Sequence, residues 1–324
     1  MPPAGPDINQ LLSAVEGLVV LIMLGSALKA FKIMPAEFAP MINRVVLTVT
    51  LPALVFRALR STQGKAIGLE SLLIPLISVV VILSCAGLGY LVARLLHLDR
   101  KRTGVFLLAV MFGSTAFVGY PLFQVLATQP RLGNTALSQH VFYSELGTLV
   151  PLVTLGLVVA SYYGEGRRFE WRDLLAVPRS APFIAMLLGL LFYNDTLPPI
   201  VGTTVNTLAD STSFLMMFSL GLTINWGDLA KFWQANLGAV AVRLVAGPII
   251  GFILATLMQA LFHVSDVMVR VVVIDSAMPA ILLCLVYAAQ FKLDVKFASA
   301  LVFTNFLFSL PTLFIVLVLA TNIH

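Results

Sequence analysis

Charge is scarce in this chain: Asp, Glu, Lys and Arg together make up 11% of its 324 residues, against about 25% in an ordinary soluble domain. With 59% hydrophobic residues and a mean hydropathy of +0.99, there is too little polar surface to cover a water-soluble body of this size. Disorder, a nucleic-acid-binding module and a separate soluble domain are excluded on the same ground. Cysteine is also nearly absent, and the two present, Cys85 and Cys284, lie in apolar runs with no CxxC spacing, so a disulfide scaffold is excluded and both read as packing residues. The four histidines, His97, His140, His263 and His324, are scattered and form no H-E-x-x-H motif. Gly113-Ser114 has no histidine to activate it as a nucleophile, so the sequence does not read as an enzyme, needs no metal and calls for no cofactor. The first ten residues lack a basic stretch and carry Pro2, Pro3, Pro6 and Asp7, which reads as an exposed lead-in and not a signal peptide.

What the chain does have is apolar runs long enough to cross a membrane, at about 20 residues each. Ten are predicted, over 8–29, 37–60, 70–96, 103–127, 135–162, 173–193, 198–224, 230–260, 266–291 and 295–322. Basic residues then orient them. Lys29, Lys32, Arg44, Arg94, Arg100, Lys101, Arg102, Arg167, Arg168, Arg172, Arg179, Lys231, Lys292 and Lys296 flank odd-numbered loops, which is fourteen of the twenty Lys and Arg. The even loops hold Arg57, Arg60, Lys65 and Arg131. By the positive-inside rule the odd loops are cytoplasmic, and both termini lie on the non-cytoplasmic side of a cell (plasma or inner) membrane.

The second half can be laid on the first at an offset of 160 to 163 residues: Asn43 meets Asn206, Gly89-Tyr90 meets Gly251-Phe252, Val141-Phe142 meets Val302-Phe303, and Pro151 comes near Pro311. Five spans per half forces opposite orientations, so the expected fold is an all-α bundle of ten transmembrane helices in two inverted five-helix repeats, 1–163 and 173–324, joined by a cytoplasmic connector at 164–172. The repeat also says which helices should be interrupted. Span four carries Gly113, Ser114, Thr115, Gly119 and Pro121 at its middle, and span nine carries Asp275-Ser276-Ala277-Met278-Pro279-Ala280. Proline removes a helix hydrogen bond, and broken backbone at membrane depth survives only where protein or a wet cavity covers it. Two matched breaks are expected to cross at mid-membrane and to offer N–H groups to an anion.

Several motifs carry a resemblance. Ile42-Asn43-Arg44 with Leu51-Pro52, Gly113-Ser114-Thr115 with Gly119-Tyr120-Pro121-Leu122, Met217-Phe218-Ser219-Leu220-Gly221-Leu222, Val242-Arg243-Leu244 with Gly247-Pro248, Ala277-Met278-Pro279, and Leu310-Pro311 resemble the auxin efflux carrier family, within the wider group of bile acid/sodium symporter-like proteins. The resemblance runs nearly the whole length. It implies crossing helices four and nine, a scaffold of helices 1, 2, 6 and 7, a transport unit of helices 3–5 and 8–10, and elevator-type carriage of small organic anions. It leaves room for a homodimer through the scaffold helices. Ser114 stands where the family commonly has Asn, and Gly113 where its plant members have Pro, so a contact assigned to that Asn does not transfer intact. The large cytoplasmic loop of many plant members is absent.

The expected substrate-binding residues are Gly113, Ser114, Thr115, Asn43, Asn206, Met278, Pro279 and Ala280. Ionisable residues at membrane depth are costly and are functional candidates. Asp275, one turn before Pro279, is the first candidate for ion coupling, with Glu145 and Asp210 beside it; a coupling proton and a coupling sodium ion are both open. Arg243 is expected as a structural charge paired with Asp275, Asp210 or Glu145. Glu16 and Arg270 also fall within runs, Glu16 near an end. The rival readings are a sodium-coupled bile-acid-type symporter and, less favoured, a channel, which needs no inverted repeat. The expected partners are an anionic small molecule and the bilayer, with no nucleic acid.

Overall fold

The computed structural model describes residues 8–35, 37–60, 68–128, 132–165, 170, 175, 178–192, 197–223 and 232–321. Lys65, Arg131, Arg167, Arg168, Arg172, Lys231 and His324, together with most of the 164–172 connector, lie outside the described residues. Every regular element among those described is helical, and the one exception to helical pairing is a single β-bridge.

In chain order the helices are α1 (Ile8–Ala30), α2 (Phe38–Val45), α3 (Leu51–Arg60), α4 (Leu69–Leu95), α5 (Arg100–Met111), α6 (Tyr120–Leu126), α7 (Gly133–Val141), α8 (Leu157–Tyr163), α9 (Ala181–Leu191), α10 (Pro199–Thr223), α11 (Trp233–Val240), α12 (Gly247–Phe262), α13 (Asp266–Ser276), α14 (Leu283–Gln290) and α15 (Val295–Thr321). Wider π-helical turns join several of them without a break: Val46–Thr50, Phe142–Leu149, Leu152–Gly156 and Ala241–Ala246. Among the described residues, five continuous helices are long and apolar enough to cross a membrane: Phe38–Arg60, Leu69–Leu95, Gly133–Tyr163, Trp233–Phe262 and Val295–Ala320.

One expectation needs correction. The run predicted as a span over 173–193 is helical only over Ala181–Leu191 among the described residues, because Ser180 is extended (φ −70°, ψ 138°) and Pro182 fixes the first turn after it. The runs at 103–127 and 266–291 are each split, at the interruptions expected there. α10 has length enough to span but is not among those five helices, because Asn206, Asp210 and its hydroxyls lower its apolar content. Thr203, Thr204, Thr207 and Thr212 turn back on the carbonyls of Pro199, Ile200, Thr203 and Leu208, which satisfies each hydroxyl inside its own helix.

Helix starts and stops follow local chemistry. Asp99 caps α5 by accepting from the Arg102 N–H at 2.9 Å, and Ser265 caps α13 by accepting from the Met268 N–H at 3.3 Å. α1, α4, α12 and α14 run out into Lys32, His97, His263 and Lys292 in the left-handed conformation, with φ of 58°, 49°, 52° and 54°. Glycine is the usual residue there; a basic side chain instead puts a cation or a donor beside the negative end of the helix dipole.

The chain condenses into two compact units. One comprises residues 1–72, 116–145 and 177–224; the other comprises 73–115, 146–176 and 225–324. In the first unit α10 is the hub, packed on α1, α2, α3 and α6. Its closest approach is glycine on glycine: a Cβ on Gly221 would run into the Ile22 carbonyl and stand 3.0 Å from the Gly25 Cα, and a Cβ on Gly25 would run into the Phe218 carbonyl. Small residues at a membrane helix contact let backbones meet and collect dispersion energy that lipid cannot supply. In the second unit α15 is the hub, packed on α5, α11, α13 and α14.

Replacing Gly221 by Leu forces α1 and α10 apart, since the obstacle is backbone and cannot rotate away. Overpacking of this kind costs about 1–3 kcal/mol or more, so the purified variant is expected to melt below the wild type. An unchanged melting temperature would refute the backbone contact.

Candidate functional site

Within the second unit, two helices stop short and meet at their broken ends. α5 ends at Met111, and Phe112 is extended (φ −111°, ψ 126°). α13 ends at Ser276, and the chain stays non-helical to Leu282 before α14 begins. The interruption in the ninth run therefore contains Met278, Pro279 and Ala280, where a proline with no N–H costs no helical bond. The two segments pair antiparallel. The Ser114 N–H donates to the Pro279 carbonyl at 2.7 Å, the Ile281 N–H donates to the Phe112 carbonyl at 3.0 Å, and Gly113 sits opposite Ala280. Backbone groups that each helix loses at its break are thus partly recovered from the other.

The pairing leaves particular groups over. In an antiparallel bridge of this register the central residues turn their own N–H groups outward, and among the described residues neither the Gly113 nor the Ala280 N–H meets an acceptor. The Ser114 hydroxyl is buried, 2% exposed, and has no hydrogen-bond partner. Leaving such a group unsatisfied costs about 1–3 kcal/mol, which is the kind of cost that marks a position built for something else. Thr115, Met278, Pro279 and Ala280 are all buried around it.

Arg243 corrects a sequence expectation. It lies on the π-helical turn Ala241–Ala246, is 2% exposed, and has none of Asp275, Asp210 and Glu145 as its partner. Its Nε donates to the Met278 carbonyl at 2.9 Å and its Nη1 to the Met111 carbonyl at 3.3 Å. The Met111 carbonyl is the last of α5 and carries the partial negative charge of a helix C-terminus, while the Met278 carbonyl lies two residues beyond α13, in the unwound segment. Two charge-assisted bonds at about 1.5–3 kcal/mol each explain why a carboxylate is not required. Cys85 on α4 is buried beside the guanidinium. The same side chain accounts for Gly113: a Cβ there would collide with Nη2 and stand 3.0 Å from Cζ and 3.2 Å from the Met278 Cβ.

The other expected residues divide between the units. Asp275 is fully buried on the last turn of α13, with its carbonyl accepting from the Met278 N–H at 3.2 Å. Glu145 belongs to the first unit, on the π-helical turn Phe142–Leu149, 3% exposed. Its Oε1 accepts from the Tyr120 hydroxyl at 2.9 Å, and its Oε2 has no hydrogen-bond partner. Beside it, His140 is stacked on Phe123 at 4.4 Å between ring centres and edge-on to Tyr120 at 4.6 Å. Asn43 is not brought to Asn206: its Oδ1 accepts from the Ser219 hydroxyl at 2.6 Å, thirteen residues further along α10. Asn206 is exposed and lines a cavity of about 260 Å³ with Arg57 and Arg60. Asp210 accepts from Arg57 at 2.6 Å, within the first unit. Glu16 is exposed on α1.

A cavity of about 580 Å³ lies at the polar end of the second unit, where Arg100, Lys101 and Lys292 face Asp99, Glu165 and Asp294. Lys101 is paired with Glu165 at 3.0 Å, and Asp99 and Asp294 are both reached by Arg102, at 3.5 and 3.1 Å, from outside the lining. Sequence reasoning missed the carbonyl partners of Arg243 and the π-helical turns under Arg243 and Glu145. Arg243 followed four residues later by Gly247-Pro248 was the available signal.

Comparison with known proteins fits this arrangement. The family model for membrane transport proteins matches residues 11–170 and 165–317. The chain is 30% identical over 301 residues to an uncharacterized transporter of Methanothermobacter thermautotrophicus, covering 92% of this chain and 95% of that protein. It is 26% identical over 302 residues to an uncharacterized transporter of Methanocaldococcus jannaschii, covering 90% of this chain and 93% of the other. A shorter match of 149 residues at 26% identity, 44% of this chain and 24% of the relative, is to a protein described as probable auxin efflux carrier component 3b of Oryza sativa subsp. japonica. With the family match spanning most of its length, this multi-pass membrane chain belongs to the membrane transport protein family of the auxin efflux carriers.

Proposed function

We propose that this protein is an elevator-type secondary carrier of small organic anions, carboxylates in particular, in the cell membrane. The observation that carries the reading is the pair of helix breaks with three donors left over: the Gly113 and Ala280 N–H groups and the Ser114 hydroxyl. Donors without acceptors in a buried, low-dielectric setting favour an anionic guest. The breaks also support a fold of two inverted five-helix repeats, 1–163 and 173–324, with the fourth and ninth spans crossing. The two separately cohesive units support a division into a scaffold and a mobile part. Asp275, buried next to the second break, is the first choice to carry a coupling ion, and Glu145 the second. Asp210, held by Arg57, is a weaker choice. The basic residues of the odd loops support an orientation with both termini on the non-cytoplasmic side. The scaffold helices are the surface through which a homodimer would form.

Protein reconstituted in liposomes is expected to take up a member of a panel of malate, malonate, short-chain acids and indole acids; transport of cations or neutral solutes alone would defeat the anion reading. Ser114→Ala removes a donor whose loss the folded chain does not feel. Its melting temperature is expected to equal or exceed the wild type's, while the KM for the transported anion rises about five- to thirty-fold, as loss of about 1–2 kcal/mol of binding predicts. A normal KM would take Ser114 out of the site.

Asp275→Asn keeps volume and removes charge. Because Arg243 is held by carbonyls and not by Asp275, the substitution strands no cation there. Gradient-driven accumulation is expected to vanish while exchange of preloaded substrate persists. Accumulation that remains normal and ion-dependent in this variant would remove Asp275 from coupling.

A further inference from the structure

Discontinuous membrane helices present unwound carbonyls and half-helix C-terminal ends, and these are the groups to which a small monovalent cation binds. The Met111 and Met278 carbonyls form such a pair, one from each break. Here both already have a cation. Arg243 reaches them with Nε at 2.9 Å and Nη1 at 3.3 Å, from a helix that takes part in neither break. A guanidinium stays protonated in proteins, so its charge at this position is permanent. It is 2% exposed, it lies against the Met278 and Met111 carbonyls and the Cys85 thiol, and no carboxylate within ion-pair reach neutralises it among the described residues. Its fit extends to the opposite side, where the missing side chain of Gly113 leaves the room that Nη2 fills.

We infer that Arg243 is a tethered resident cation: it occupies, on a covalent arm, the position between the two helix breaks where a mobile cation would otherwise bind, so the pairing of the breaks requires no bound sodium. An ion that comes and goes would make the pairing of Phe112–Ser114 with Pro279–Ile281 depend on ionic conditions. A tethered one makes it constant. The part of this inference that concerns transport rests on the carrier reading above; the part that concerns stability does not.

The test uses full-length wild-type protein and Arg243→Ala in lipid nanodiscs, melted in sodium, potassium and choline chloride at equal ionic strength, each with and without added guanidinium chloride. The wild type is expected to melt at one temperature in all three salts and to be lowered by guanidinium, which acts on it only as a denaturant. Arg243→Ala is expected to melt lower than the wild type, and guanidinium, entering the vacated position, is expected to raise its Tm saturably and recover most of the loss. Guanidinium lowering both proteins alike, or sodium selectively raising the wild type, overturns the inference. If Arg243→Ala yields no folded protein, Arg243→Lys and Arg243→Gln decide, because Lys keeps the charge and Gln keeps only hydrogen-bonding capacity. Lys melting above Gln supports the resident cation, and Gln equal to or above Lys overturns it. Exchange of preloaded anion by the wild type, which needs no coupling ion, is expected to be unchanged with choline replacing sodium, and a sodium requirement for exchange overturns the inference. Absence of uptake of any panel anion defeats the carrier reading alone, since the melting experiments stand without it.

Discussion

The contact on which the second unit depends is a guanidinium set between the carbonyl ends of two interrupted helices. A chain broken inside an apolar environment has unpaired donors and acceptors, each costly. The donors at Ser114 and Ile281 find carbonyls across the bridge, and the leftover carbonyls of Met111 and Met278 find Arg243. Remove any one partner and the others lose their reason: Gly113 has no side chain because Arg243 lies against it, and Pro279 is tolerated because its segment is already non-helical. α15, α11 and α14 pack around this arrangement, so the interior of the unit inherits its geometry from it.

The first unit is held by a different means. Its tightest contact is backbone against backbone at Gly25 and Gly221, and a small apolar cluster of Ala39, Phe218 and Leu222 with Leu28, Met34 and Ile42 closes around the same stretch of α10. Its buried polar groups include Glu145, Tyr120 and His140 with Phe123, and the Ser219 hydroxyl that donates to Asn43. Half-buried Gln124 donates to the Ala209 carbonyl at 2.9 Å and accepts from the Ser213 hydroxyl. One unit thus relies on a buried charge and the other on close approach.

The parts of this molecule legible in the sequence were those written in local chemistry. Apart from the run at 173–193, apolar runs located the described helices to within a few residues, and glycine, hydroxyl and proline residues located both breaks, because a helix interruption needs residues that tolerate one. The buried position of Asp275 beside the second break was also visible from its spacing to Pro279. Partners were not legible. Arg243 was expected to seek a carboxylate, since charge pairing is what composition can suggest; that two carbonyls would serve depends on where α5 and α13 stop in space. Asn43 and Asn206 matched in register but not in surroundings, because one meets Ser219 and the other is exposed beside Arg57. The π-helical turns under Glu145 and Arg243 have no sequence signature of their own and follow from packing.

The Arg57–Asp210 pair carries one more implication. Asp210 sits near the middle of α10, and its side chain is 70% exposed, that of Arg57 27%. Acyl chains solvate neither partner, and a carboxylate facing them at that depth would give up its charge or drag head groups inward. An ion pair this exposed marks the flank of α10 that bears Asp210 as a surface suited to water and polar groups and not to acyl chains.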